Sequence, residues 1–98
     1  MERSLLHDIF ELMVPNVYFQ PPNGLKMEYP CIVYKWDDEQ VLFADNGPYR
    51  RKKRYQVTVI DRDPDSILPD MVAGLPYSSF DRAYPADNLN HTVYNLFF

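Results

Sequence analysis

Sulfur chemistry is nearly absent from this 98-residue chain: Cys31 is its single cysteine, so no internal disulfide and no Cys-x-x-Cys metal or redox motif can exist. A reducing compartment suits that usage. Long apolar runs are missing as well. Residues 1–14 are interrupted by His7, Asp8 and Glu11, which leaves neither the apolar core of a signal peptide nor the length of a membrane span, so neither membrane insertion nor export is expected. Histidine is scarce, and neither His7 nor His91 has the spaced Cys, His or carboxylate company of a zinc site. With three glycines in all, no glycine loop is available to bind an oxyanion or phosphate. His91 with Ser78 or Ser79 and an aspartate has the chemistry of a hydrolytic triad, but no nucleophile-elbow sequence accompanies it. The residues imply no catalytic group, no cofactor, no metal and no small-molecule substrate.

What is present is apolar and aromatic surface. Hydrophobic residues make up 46% and charged residues 24%, a balance that offsets ordering entropy and predicts a folded, single domain over residues 1–98. A domain of this size buries only about two-thirds of its unfolded surface, so burial against neighbouring subunits is a useful further source of stability.

The element pattern predicts an α+β fold. Leu5, Leu6, Ile9, Phe10 and Met13 recur at helical spacing, with Ser4 available as N-cap and Pro15 as terminator, giving a helix over 4–13. Val17, Tyr18 and Phe19 form a short strand, broken by the turn-formers Pro21, Pro22, Asn23 and Gly24. Residues 31–36 and 41–43 read as a hairpin whose polar turn is Asp37-Asp38-Glu39. After the turn-rich Asp45-Asn46-Gly47-Pro48, residues 55–61 alternate cleanly, placing Tyr55, Val57 and Val59 on one face with Ile60 as the exception. A second helix is expected over 66–73, capped by the aspartates before it, with Pro69 in its first turn and Gly74 at its end. Strands over 77–84 and 90–98 follow, joined by a turn at 85–88. The expected order is α-β-β-β-β-α-β-β, with two helices on one face of a mainly antiparallel sheet. The apolar C-terminal strand either inserts in its own sheet or docks on another subunit, because left exposed it would invite edge pairing.

Charge is unevenly distributed. The net charge is −4, yet Arg50, Arg51, Lys52, Lys53 and Arg54 place five of the ten basic residues in one run. Separation of this kind suits head-to-tail contact between like subunits, and residues 49–54, with Tyr49 at their head, are the expected contact segment. Tyr49 and Tyr55 flank the cations as stacking groups would in a nucleic-acid site, but the negative net charge disfavours dedicated nucleic-acid binding; passing contact with DNA inside a larger assembly is compatible with the residues. Asp61, Asp63 and Asp65 imitate the opening of a calcium loop, but Ser66 and Val72 stand where glycine and a bidentate glutamate are required.

The stretches 29–34, 43–46 and 53–62, followed by Asp63-Pro64-Asp65-Ser66, Leu75-Pro76, Ser79-Phe80-Asp81-Arg82 and Asp87-Asn88-Leu89-Asn90-His91, resemble small tail-completion (tail-terminator) virion proteins of long-tailed bacteriophages. The likeness runs from Tyr29 to the C-terminus. It implies a non-enzymatic α+β subunit of a homo-oligomeric, hexameric ring that caps the tail tube and faces the head connector, in the virion and in the host cytoplasm during assembly. A head-closure or connector component is the neighbouring alternative. A small DNA-binding accessory protein that uses residues 50–54 is the alternative of another class.

Overall fold

A computed structural model describes residues 3–44 and 47–98, and of residues 38–44 and 47–52 the backbone alone. Helix α1 (Arg3–Met13) and the short strand β1 (Val17–Phe19) are followed by two long strands, β2 (Cys31–Ala44) and β3 (Gly47–Asp61). Helix α2 (Leu68–Ala73) then leads to β4 (Ser78–Ala86) and β5 (Leu89–Phe97). The described strands form one five-stranded mixed sheet in the order β1-β2-β3-β5-β4. Only β1 and β2 run parallel; the other neighbours are antiparallel.

The strand count corrects one expectation. Asp37, Asp38 and Glu39 are not a turn, and the two strands expected at 31–36 and 41–43 are one continuous strand. The reason lies across the ladder, where Asp38 faces Arg54, Glu39 faces Lys53 and Gln40 faces Lys52. Backbone pairing with β3 continues through the acidic run, and Arg54 is bonded to Asp37 beside it. A register shift between Trp36 and Asp38 marks the point where the sequence looks like a break.

Period-two burial is as expected in β3. Tyr55, Val57 and Val59 join Ile32, Tyr34, Tyr94 and Leu96 in the main core, together with Leu6, Phe10 and Val14 from around α1 and Leu68 and Val72 from α2. Tyr34 is the centre of this cluster, with the rings of Phe10, Phe19 and Tyr55 at 5.2, 4.9 and 5.9 Å. Its hydroxyl lies 2.7 Å from His7 Nδ1 and accepts a longer bond of 3.4 Å from Arg3, so the polar tip of the buried ring is satisfied by α1. Ile60, the exception to the alternation, is buried in a second, smaller cluster with Cys31 and Leu89.

The aspartates before α2 do not cap it. Asp61 Oδ1 accepts the Asp63 N–H at 3.0 Å and Asp63 Oδ1 accepts the Asp65 N–H at 2.9 Å, two successive Asx turns that bend the loop. Ser66 Oγ accepts the Leu68 N–H, and the helix starts at Leu68, two residues later than expected, with Pro69 in its first turn. The turn between β4 and β5 is the two-residue pair Asp87-Asn88, with φ of 52° and 62°. Both residues sit in the left-handed region that a type I′ hairpin requires, and both are among the few non-glycine types that tolerate it. The C-terminal strand is inserted in its own sheet, between β3 and β4.

Candidate interaction surface

The basic segment is part of strand β3, which begins well before the 55–61 stretch expected from the sequence. Arg54 and Lys53 are the two of its residues whose side chains are described; those of Tyr49, Arg50, Arg51 and Lys52 lie outside the described residues. Arg54 Nε donates to Asp37 Oδ1 at 2.9 Å, and the Lys53 ammonium stands 5.3 Å from the Trp36 ring centroid, a cation–π contact on a half-exposed indole.

Backbone pairing defines how this segment is presented. β1 accompanies β2 only as far as Tyr34, and β5 accompanies β3 only as far as Arg54, opposite Phe97. Beyond those points β2 and β3 pair with each other alone, out to Ala44 opposite Gly47. The result is a two-stranded ribbon that projects about 23 Å past the sheet, taking 3.3 Å per residue over residues 38–44. It gives the chain extents of 50 × 25 × 23 Å and a radius of gyration of 14.5 Å, against about 12.6 Å for a compact chain of this length. Accessible surface is 6555 Å², where a compact monomer of this mass exposes about 5,800 Å².

A second feature lies at the base of the ribbon. α1 carries two apolar stripes: Leu6 and Phe10 face the core, while Leu5, Ile9 and Leu12 lie alongside. With Leu75, Tyr77 and Phe98 these flanking residues line a groove of about 460 Å³ that is almost wholly apolar and has Asp8 on its border. Leu12 is 88% exposed and Tyr77 62%. The Phe98 N–H donates to the Lys53 carbonyl at 3.0 Å, so the groove abuts the start of the ribbon. Leu12 was the missing signal in the sequence: seven residues after Leu5 and three after Ile9, it shares their side of the helix, turned away from the buried pair Leu6 and Phe10.

The residues considered for hydrolysis do not converge. Ser79 pairs with Asn95 and His91 with Tyr84, so four residues of β5, about 13 Å, separate them. His91 is stacked on the Tyr84 ring at 4.9 Å and 13°. Asp61 and Asp63 spend an oxygen each on loop amides, and among the described residues no group of three His, Cys, Asp or Glu is gathered as a cation site would need. Burial, together with the nearby Asp61 carboxylate, pushes the Cys31 thiol up to about 11, the opposite of an activated nucleophile. Among the described residues no helix is long and apolar enough to cross a membrane.

No family model, curated protein or solved structure matches the chain.

Proposed function

We propose that the chain is a non-enzymatic virion structural subunit of a long-tailed bacteriophage, assembling with copies of itself into a ring, hexameric in the tail-completion reading, that caps the tail tube and meets the head connector. The observation that carries the reading is the ribbon formed by β2 and β3 beyond Tyr34 and Arg54. A lone two-stranded hairpin is marginally stable in water. A chain that extends one past its sheet is built to have it covered by a neighbour. The excess of accessible surface, roughly 700 Å², is comparable to what one partner buries in a standard interface.

Other features support the same reading. Both helices contribute buried residues to the one cluster on β2, β3 and β5, and we take them to cover that sheet face together, leaving ribbon, groove and the β4 edge for contact. β4 itself carries a bulge between Phe80 and Arg82, a proline at 85 and the charges of Asp81 and Arg82, devices that discourage indiscriminate edge pairing. The DNA-binding reading loses ground because part of the basic run is engaged within the chain, Arg54 by Asp37 and Lys53 by the Trp36 ring. Contact by the ribbon puts Tyr49, Arg50, Arg51, Lys52, Lys53 and Arg54 at the subunit interface.

The test is imaging of assembled tails carrying a tagged copy of this chain. Label at the head-proximal end of the tube supports the tail-completion role; label on the head side of isolated capsids, with none on tails, moves the chain to head closure; label on neither excludes both.

A further inference from the structure

We infer that Asn23 is a site of spontaneous covalent modification: in the folded chain the backbone nitrogen of Gly24 attacks the Asn23 side-chain amide, which releases ammonia and leaves a carboxylate at position 23. The inference is independent of the assembly reading and rests on the loop that joins β1 to β2.

The observations lie in one turn. The Leu25 N–H donates to the Pro22 carbonyl at 3.2 Å, so Asn23 and Gly24 are the central pair of the turn. Gly24 holds a φ of 83°, a region that glycine enters freely, and a Cβ placed on it would meet nothing within 4 Å. Space around the attacking nitrogen is therefore open. Asn23 and Gly24 are both exposed, so water reaches the intermediate and ammonia can leave. Among the described residues no hydrogen bond engages the Gly24 N–H or the Asn23 side-chain amide. Asn16, in the same segment, has the opposite surroundings. Its side-chain amide donates to the Pro30 carbonyl at 3.2 Å, its main-chain carbonyl accepts the Ile32 N–H, and the residue after it is the β-branched Val17, fixed in β1. Asn88, Asn90 and Asn95 precede Leu89, His91 and Leu96, whose side chains crowd the same approach. Among the described asparagines Asn23 alone is followed by glycine; Asn46, which precedes Gly47, lies outside the described residues.

The step balances with water as its only co-reactant. Solvent base removes the Gly24 amide proton, and the nitrogen forms a bond to the Asn23 side-chain carbonyl carbon. The bond from that carbon to the side-chain nitrogen then breaks, the nitrogen takes a proton from solvent, and ammonia departs. Water opens the resulting five-membered imide at either carbonyl, giving aspartate or isoaspartate; nothing is oxidised or reduced. Either product adds one negative charge to a chain whose net charge is already −4. Isoaspartate also routes the main chain through the side-chain carbon, which lengthens the turn that Leu25 closes on Pro22.

The experiment incubates the full, folded chain in mildly alkaline buffer, digests samples with trypsin and locates the amide-to-acid mass gain by tandem mass spectrometry. Cleavage after Arg3 and Lys26 puts Asn16 and Asn23 in one peptide, so Asn16 is an internal reference, while Asn46 falls in a separate peptide between Lys35 and Arg50. Conversion at position 23 is expected at least about tenfold faster than at position 16, the ratio that a barrier difference of about 1.4 kcal/mol produces, with both aspartate and isoaspartate formed and the rate rising with pH. Equal rates at the two positions overturn the inference. Conversion at position 23 that occurs in urea but not in buffer overturns it too, because the reaction would then require unfolding. Asn23→Gln keeps Gly24 and the turn but demands a six-membered ring; conversion at position 23 is expected to fall to the Asn16 level, and an unchanged rate counts against attack by the Gly24 nitrogen.

Discussion

Arg54 donates to Asp37 at 2.9 Å across the point where the sheet narrows from its full width to the two strands of the ribbon. The pair is partly exposed, and its net worth to the monomer is about 0.5–1 kcal/mol. It sits where residues 38–44 leave the sheet, next to the proposed contact segment. Asp37→Ala should therefore cost at most about 1 kcal/mol in urea denaturation while lowering assembly several-fold in a sedimentation series. A loss of stability well above that limit would mean the pair supports the core.

Core and groove residues on α1 should separate cleanly. Phe10 is fully buried against Tyr34, and Phe10→Ala is expected to destabilise by about 3–5 kcal/mol, enough to unfold much of a marginal domain. Leu5→Ala and Leu12→Ala sit on the flanking stripe and should change monomer stability by less than about 1 kcal/mol while weakening association by about 1–2 kcal/mol each. Denaturation curves and concentration-dependent mass, measured on the same three variants, check both halves.

The Asp87-Asn88 turn predicts a gain. Asn88 holds φ of 62° at the cost that any side chain incurs there. Asn88→Gly should stabilise by a few tenths to about 1 kcal/mol, and Asn88→Val should destabilise by about 1–2 kcal/mol, read as opposite shifts in thermal midpoint.

Alkaline pH should weaken the fold. The Cys31 thiol is raised from 9.0 to about 11 by burial, then by Asp61. Between those values the unfolded chain has lost the proton that the folded chain keeps, so stability is complete below pH 9 and falls as pH rises towards 11, by up to about 2 kcal/mol from this group. Tyr34, Tyr55 and Tyr94, each raised chiefly by burial, act in the same direction above pH 10. Urea midpoints measured from pH 8 to 11 should decline, with a shallower slope in Cys31→Ala. A flat profile would show that the thiol is more accessible than its burial implies.

Where local chemistry decides structure, the sequence is a good guide. The helical spacing of Leu6 and Phe10, the alternation of Tyr55, Val57 and Val59, and the turn residues Asp87 and Asn88 all correspond to what is seen. The long strand β2 was hidden because Asp37-Asp38-Glu39 has turn composition, and its backbone pairing with β3 is set by register, which a linear reading does not contain. The aspartates before α2 were misplaced for a related reason: Asx turns and helix caps use the same residue types at nearly the same spacing. Residues 50–54 stand out in the sequence by charge; that their backbone belongs to the long strand β3 does not. Nor does the groove, since it needs α1, residues 75–77 and the C-terminus brought together by the fold.

The most direct test is the mass of the purified chain by sedimentation equilibrium over a wide concentration range, at low and high salt. Self-assembly through ribbon and groove predicts a discrete multiple of the 11.6 kDa chain that persists on dilution into the micromolar range and dissociates in part as salt screens the ribbon's cations. A mass of one chain at every concentration and salt would contradict it.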